Sequence, residues 1–412
     1  MVTTSAELPD GSRYWQRNLA VCVFGSFTTI IAMTLLLPFL PLYVEQLGVT
    51  SHAAIGQWSG LAYGATFFSA ALTAPLWGRL GDRYGRKLML IRASLGMAIA
   101  MTLLGMAHSV WQLVALRLLA GLLGGYASGS MILVATQTPK ARTGWALGML
   151  SSGIMAGNFI GPLIGGTLPP LIGIRATFIA AGAIIFVSFL ATTFLLKEEP
   201  GAAVQRKKEV IPQAAVGFSK PVIAMLATGT LLMIANMSIE PIITLYVAQL
   251  VASPQVTLVA GLTMSSAALG SILSASWLGK LADRTGPWNV IIGCLLVAAA
   301  LLIPQALVTQ GWQLVVLRFF MGLALGGLLP CIASVIRHNV PDSIAGKMLG
   351  YSTSAQYVGQ VAGPLLGGVI GGHFGMRPVF FGTCALLVAG AAYNWLARRH
   401  SLPRTKGAID RR

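Results

Sequence analysis

The side chain with the clearest chemical potential is Glu240, which lies within a long apolar stretch of the sequence. An ionisable group at bilayer depth costs about 2.5–3.5 kcal/mol on insertion scales, so such groups are usually kept for function. The sequence has 11 acidic residues, and Glu240 alone falls well inside an apolar stretch. We expect Glu240 to exchange protons or to bind a cationic substrate. A structural carboxylate, paired with a basic or hydroxyl partner, is the alternative.

Helical spacing places other residues on the same face as Glu240. Residues at i, i+3, i+4, i+7 and i+11 of a helix share one side. The set consists of Met233, Asn236, Met237, Glu240 and Thr244. Pro241 should loosen the helix beside the carboxylate. Flexible methionines around one acid suit a site for bulky cations, so this face is the predicted site of substrate binding and proton coupling.

Four more polar residues lie inside apolar stretches. Arg117 and Arg318 each sit about six residues from the outer end of a predicted span, roughly 9 Å deep at 1.5 Å per residue. Arg318 could extend outward to the interface. Asn158 and Gln360 occupy equivalent positions in two Gly-Pro motifs. We expect these two to form interhelical hydrogen bonds rather than to contact substrate.

The elements that carry these residues are membrane helices. The 412-residue chain is 55% hydrophobic and only 9% charged, whereas soluble domains carry roughly a quarter charged residues. Apolar stretches of about 20 residues, the length that crosses a bilayer, predict an all-α integral membrane protein with twelve transmembrane helices. The spans fall near 19–44, 57–77, 89–107, 111–135, 145–168, 174–196, 222–248, 256–278, 289–307, 311–336, 347–371 and 376–396.

The basic residues are distributed asymmetrically between the two sides of the predicted membrane. All but four of the 28 Lys and Arg fall on the side of the N-terminus. The exceptions are Arg117, Arg175, Arg318 and Arg377. Positive charge concentrates in cytoplasmic loops, so both termini are predicted to be cytoplasmic. The net charge of +17 therefore indicates topology and attraction to anionic lipid, not a nucleic-acid partner.

The sequence repeats itself once. The segment Trp111–Arg117 returns as Trp312–Arg318, and Gly161–Gly166 returns as Gly363–Gly368. Each copy has six spans, an even number, so the copies are parallel about an axis along the membrane normal. The predicted organisation is an N-terminal six-helix bundle over 1–196, a cytoplasmic linker over 197–220 and a C-terminal bundle over 221–412. Such repeats place a binding site near the midplane, between halves that move against each other.

The segment between spans 2 and 3, which we call the signature loop, reads GRLGDRYGRK over residues 78–87. It resembles the signature of the major facilitator superfamily, with Gly78, Asp82, Arg83, Gly85, Arg86 and Lys87 at the fixed positions. Its glycines permit a tight turn, and Asp82 could pair with an arginine or cap a helix. The second copy keeps Asp283 and Arg284 but lacks the final Arg-Lys pair. The resemblance implies gating by these loops.

Span 5 carries a glycine motif made of Gly148, Gly157, Gly161, Pro162 and Gly165. It resembles the antiporter signature of the superfamily's twelve-helix drug:proton exporters. Glycines four residues apart allow close helix packing, and a proline bends a helix. Generic packing is the alternative interpretation. Span 11 has the same spacing at Gly350, Gly359, Gly363, Pro364 and Gly367, so the motif also records the duplication.

Trp111–Gly125, with Arg117 inside span 4, resembles the superfamily's helix-4 motif, which carries a role in proton coupling over to Arg117. The resemblance to the drug:proton antiporter family covers nearly all 412 residues. It implies proton-driven export of amphipathic small molecules across a bacterial inner membrane. We expect a functional monomer in the lipid bilayer.

Other functions compete with drug export. Proton-coupled transport of a defined metabolite, such as a sugar or an organic acid, fits the same architecture. A channel or a receptor makes little use of gating loops and bent Gly-Pro helices. An enzyme is the least favoured class, because GxSxG, HExxH and Walker-type motifs are missing from the sequence. We therefore expect no cofactor and no metal, and an ion gradient rather than ATP as the energy source. Sodium is the alternative ion, but the resemblance to the antiporter signature implies the proton gradient.

Overall fold

A computed structural model describes residues 13–198 and 219–401, and this part of the chain is helical without strands. The helices of the first half are α1 (Trp15–Thr34), α2 (Leu40–Gln46), α3 (His52–Tyr84), α4 (Arg86–Gly105), α5 (Val110–Leu123), α6 (Tyr126–Gln137), α7 (Thr143–Ile172) and α8 (Ile174–Leu195). Those of the second half are α9 (Lys220–Met237), α10 (Ile243–Val247), α11 (Val256–Thr285), α12 (Pro287–Leu307), α13 (Gly311–Leu325), α14 (Leu328–His338), α15 (Asp342–Phe374) and α16 (Met376–Ser401).

These helices form twelve spans in the described part of the chain. Four spans are interrupted and consist of two helices each, namely α1–α2, α5–α6, α9–α10 and α13–α14. Short 3-10 helices at Leu37–Phe39 and Glu240–Ile242 occupy the interruptions of the first and seventh spans. We call these two 3-10 segments kink 1 and kink 7. The break at Gly124–Gly125 in the fourth span was not expected from the sequence, which predicted one continuous helix there.

Ten of the spans are long and apolar enough to cross a membrane. The other two, α3 and α15, are 33 residues long each and richer in glycine and polar residues. They pack against each other between the two halves. A Cβ on Gly60 would overlap the carbonyl oxygen of Pro364. Helices that face each other so closely need less apolar surface than helices surrounded by lipid, which explains their lower hydropathy.

The packing repeats from one half to the other. The pairs α1–α7, α3–α5 and α4–α8 in the first half correspond to α9–α15, α11–α13 and α12–α16 in the second. Between the halves, α3 packs on α15 and α7 packs on α11. The repeat relates these two contacts to each other, because α3 corresponds to α11 and α7 corresponds to α15. The predicted fold of two parallel six-helix bundles is confirmed. Most of the linker expected over 197–220 lies outside the described residues.

The two halves touch at one side of the membrane. We call the side on which residues 13 and 401 lie the terminal side. Gly56 of α3 lies against Gly368 and Gly372 of α15, and Gly166 of α7 lies against Thr257 of α11. All of these contacts fall in the halves of the helices remote from the terminal side.

The terminal-side ends of the same helices are open. A Cβ at Gly148 of α7 or Gly350 of α15 would meet no atom within 4 Å. Gly148 lies on the helix face that continues to Met155 and Pro162, which border the space between the halves. The halves are therefore closed on the side opposite the termini and separated on the terminal side.

Candidate functional site

A cavity of about 430 Å³ lies between the two halves, bordered by both. It is mostly apolar and lined by methionines, aliphatic residues, Tyr63 and Phe67. Its polar lining is concentrated in a few side chains. These are Thr34, Asn158, Asn236, Glu240, Ser271, Arg318 and Gln360. An apolar cavity with a small number of polar groups is the usual form of a small-molecule site.

Glu240 is positioned by kink 7. Pro241 has no backbone N–H, so it cannot continue the hydrogen bonding of α9, which ends at Met237. The expected loosening of the helix is confirmed, and it presents the Glu240 side chain to the cavity. The described residues offer this carboxylate neither a hydrogen bond nor an ion pair within 4 Å. A structural carboxylate with a directly bonded partner is therefore not what the described residues show.

Arg318 is the cationic group that faces the same cavity. Its side chain is only 3% exposed, and it interacts electrostatically with Glu240 without contacting it. Its Nε and Nη2 atoms have no hydrogen-bond partner in the described structure. The prediction that Arg318 could extend outward to the interface is wrong, because α13 holds it at the cavity wall. The buried cation and the carboxylate share one cavity but do not touch. The carboxylate is therefore available to bind a ligand or to take up a proton.

Arg117, the repeat mate of Arg318, does not line the cavity. It is fully buried, and its Nε donates to the carbonyl oxygen of Ala62 at 3.4 Å. Its guanidinium carbon lies 5.7 Å from the ring centroid of Tyr63, and Tyr63 does line the cavity. Arg117 thus sits behind this ring. Tyr63 was missed from the sequence, because an aromatic residue in an apolar stretch carries no signal that distinguishes a cavity wall from a core.

The predicted face around Glu240 is only partly present. Asn236 and Met237 line the cavity with Glu240. Met233 is buried one turn away, where its Sδ lies 3.7 Å from the Nε2 of Gln360. Thr244 is also buried and donates to the carbonyl oxygen of Pro38 at 3.0 Å. The face ends at Glu240 because kink 7 changes the helical periodicity, and Thr244 instead joins the two kinks.

The two amides of the Gly-Pro motifs differ. Gln360 contacts Met233 across helices, as expected. Asn158 lines the cavity and makes no hydrogen bond to the residues that the structure describes. The expectation of an interhelical bond is therefore wrong for Asn158, whose amide is available to a ligand.

The glycine motif of α7 packs this helix against α1. Added Cβ atoms at Gly157, Gly161 and Gly165 would press on Phe27, Thr34 and Leu35. The mates Gly359, Gly363 and Gly367 pack α15 against α9 in the same way, up to Ser238 beside kink 7. Gly148 is the exception, since it faces open space. Pro162 lies inside α7 and lines the cavity without ending the helix.

The signature loop lies on the terminal side, away from the cavity. Its turn uses Gly85 alone, at φ 94°, because Gly78 is helical and belongs to α3. Asp82 forms an ion pair with Arg86. The helix cap comes instead from Glu198, whose carboxylate accepts from the backbone N–H groups of Arg86 and Lys87 at 2.9 and 2.8 Å.

The remaining signature residues are at the surface. Arg83 stacks on Tyr84, with its guanidinium carbon 5.2 Å from the ring centroid. Asp283 and Arg284 are exposed in the last turn of α11, where Gly286 makes the matching turn at φ 89°. Within the described residues, the ion pair, the ring contact and the helix cap of the first signature loop all lie in the first half. Glu198 was missed because it belongs to the predicted linker.

Comparison with known proteins agrees with this architecture. The profile of the Major Facilitator Superfamily matches residues 22–309 and 258–411. The chain belongs to this superfamily. It is similar to the multidrug resistance protein MdtG of Salmonella paratyphi B, at 41% identity over 399 residues, which covers 96% of this chain and 98% of the relative. MdtG of Salmonella typhimurium matches with the same identity and coverage.

Solved structures of the superfamily share the fold at low sequence identity. A bacterial homologue of the human lysosomal transporter Spinster, in an inward-facing and occupied conformation, has a TM-score of 0.79 at 17% identity, over 94% of this chain and 97% of that one. A D-xylose-proton symporter has a TM-score of 0.76 at 15% identity, over 93% and 97%. The protein is therefore a multi-pass membrane transporter of the major facilitator superfamily, not an enzyme.

Proposed function

We propose that this transporter exports amphipathic, preferably cationic, small molecules in exchange for protons, by alternating access. The observation that carries the proposal is the Glu240 carboxylate. It faces an interdomain cavity, has no direct protein partner in the described part of the chain, and shares the cavity with Arg318. The similarity to MdtG, named for multidrug resistance, supports drugs as the substrate class.

The coupling follows from the charge of one side chain. Ionised Glu240 attracts a cationic substrate into the cavity, where Met33, Met155 and Met237 adapt to its apolar part. Protonation removes that attraction and favours release. A proton and a cation that compete for one carboxylate cannot be carried in the same direction in one step, so the two fluxes become opposed. Arg117, behind Tyr63, is proposed to sense this change through the ring.

Alternating access is supported by the unequal closure of the two sides. Glycine contacts close the side opposite the termini, while the terminal side is open. With both termini in the cytoplasm of a bacterium, as the basic residues predict, the cavity faces inward and receives substrate from the cytoplasm. The signature loops would close that side in the other conformation. We propose that a monomer in the inner membrane suffices, because both halves of the site come from one chain.

The deciding test is Glu240→Gln in proteoliposomes. Efflux of a cationic dye driven by a pH gradient should fall at least tenfold. Exchange of labelled for unlabelled dye without a gradient should persist at saturating dye, because the neutral glutamine weakens dye binding but the exchange needs no proton. Glu45→Gln is the matched control, because Glu45 is exposed at the far end of the first span, and it should transport normally. Undiminished gradient-driven efflux by Glu240→Gln would remove this residue from the mechanism.

A metabolite transporter remains the second candidate, because three amides border the cavity, at Asn158, Asn236 and Gln360. Amides suit hydroxylated substrates. Growth of an exporter-deficient strain with and without the gene, over a panel of antibiotics, dyes, sugars and organic acids, separates the two. Increased resistance to dyes and antibiotics supports export of drugs. Altered growth on one sugar or acid alone would favour the metabolite.

A further inference from the structure

The second half carries an apolar groove on its outer surface, distinct from the central cavity. The groove has a volume of about 720 Å³ and lies between α11, α12 and α13. Its walls are apolar, and its polar residues, Thr285 and Asn289, lie together at the terminal-side end. It does not belong to the proposed transport site, with which it shares no lining residue.

One glycine keeps this groove open. Gly293 of α12 is exposed and lines the groove, and a Cβ there would meet no atom within 4 Å. The repeat places Arg92 of α4 at the equivalent position in the first half. Arg92 stacks on Trp77, with its guanidinium carbon 3.6 Å from the ring centroid, and donates to the carbonyl oxygens of Leu123 and Gly124 at 3.1 and 3.2 Å. In the first half, the Arg92 side chain occupies the space that corresponds to the groove. In the second half, Gly293 has no side chain and leaves that space open.

The groove has the depth of one lipid leaflet. Its lining along α12 extends from Asn289 to Leu301, which is about 18 Å at a rise of 1.5 Å per residue. The hydrocarbon core of a bilayer is about 30 Å thick, so one leaflet contributes about 15 Å. A single acyl chain therefore matches the groove in length, and the apolar walls match it in chemistry.

The mouth of the groove is cationic. Arg398 of α16 donates a hydrogen bond to the Oδ1 of Asn289. Lys280 and Arg284 are exposed on the last turns of α11, next to the lining residues Leu281 and Thr285. One carboxylate, that of Asp283, lies at the same end. The net positive charge favours an anionic head group over a zwitterionic one.

We propose that this groove binds an anionic phospholipid of the terminal-side leaflet. One acyl chain occupies the groove over Gly293, and the phosphate lies at Arg398 and Asn289. We expect this lipid site in the second half only, because the Arg92 side chain occupies the corresponding position in the first half. A bound lipid would connect α11, α12 and α16 on the side where the halves are separated, and would stabilise the second half as a unit.

The test uses purified protein stripped of lipid and titrated with phosphatidylglycerol or with phosphatidylcholine of the same acyl chains, followed by native mass spectrometry. The wild type should retain one phosphatidylglycerol at least fivefold more strongly than phosphatidylcholine. Gly293→Leu should lose this retained lipid, while Gly382→Leu should keep it. Gly382 is a matched control, because it is also an exposed glycine with open space around it but lies outside the groove.

Two further measurements make the outcome decisive. Arg398→Gln should reduce the preference for phosphatidylglycerol without abolishing acyl-chain binding. Val297→Phe, inside the groove, fills it by a second route should Gly293→Leu fail to fold. Equal retention of lipid by wild type and by both groove-filling variants would overturn the proposal, as would equal affinity for the two head groups. Binding of a cationic dye in the groove, without binding of phosphatidylglycerol, would also overturn the proposal.

Discussion

Kink 1 and kink 7 are the same backbone device with different side chains. Each is a 3-10 segment with proline at its second residue, and each is packed by the glycine motif of the neighbouring helix. The first residue is Leu37 in kink 1 and Glu240 in kink 7, and both line the cavity. The two halves therefore share the backbone geometry of the kink, whereas the carboxylate that we propose couples transport to protons is present in the second half only.

The arginines of the fourth and tenth spans show the same division. Arg117 and Arg318 are mates and both are buried, yet only Arg318 reaches the cavity that contains Glu240. In the first half, Tyr63 stands between the arginine and the cavity. Met264 is the repeat mate of Tyr63, and it does not separate Arg318 from the cavity, which both residues line. The second half thus contributes both charges of the site.

The largest effect is expected when the two arginines are neutralised separately. Arg318→Gln removes the positive field beside Glu240, so affinity for a cationic dye should rise, and proton-driven efflux should fall at least tenfold as release becomes slow. Arg117→Gln, behind Tyr63, should leave dye affinity within twofold and reduce only the efflux. Dye binding is measured by fluorescence titration, and efflux in proteoliposomes.

Two outcomes would contradict the division between the arginines. One is equal change of dye affinity in both variants, which would place Arg117 at the binding site despite its burial. The other is unchanged efflux in Arg117→Gln, which would limit this arginine to a structural role. Thermal unfolding of each variant in detergent checks that both proteins are folded.

The glycine motifs should behave alike in the two halves. Gly363→Ala would place a Cβ 2.8 Å from the Cβ of Met237, and Gly161→Ala would press on Thr34. Each substitution should destabilise the protein by about 1–3 kcal/mol, as overpacking does, and displace a kink. Gly350→Ala is the control in open space and should be neutral or slightly stabilising. Thermal unfolding and dye efflux measure the effect, and an unaffected Gly363→Ala would show that the helix contact is loose.

The smallest expected effect concerns the bond that joins the two kinks. Thr244→Val removes the hydrogen bond to the Pro38 carbonyl, which should cost about 1 kcal/mol. Because this bond links the halves on the closed side, its loss should shift the transporter toward opening there by about fivefold. Cysteine accessibility on that side measures the shift. Thr244→Ser keeps the hydroxyl and should behave as wild type, and an equal shift in both variants would exclude the bond as the cause.

The number of spans, the repeat, the superfamily and the position of Glu240 inside an apolar span could all be predicted from the amino-acid sequence. These follow from local quantities, since hydropathy, motif spacing and a single acid in an apolar stretch are properties of the chain in one dimension. The loosened helix at Pro241 was likewise predictable, because proline lacks the N–H that a helix requires.

Which polar residues share the cavity depends on tertiary packing and could not be predicted from the sequence. Arg318 and Asn158 face it, Arg117 lies behind Tyr63, and Thr244 turns to Pro38. Helical periodicity places residues on a face but does not say which partner covers that face, and a kink ends the periodicity altogether. The same reason applies to Glu198, which caps a helix more than a hundred residues away in sequence. Charge and hydropathy determine where a helix can lie, and the packing of helices remote in sequence determines what each side chain meets.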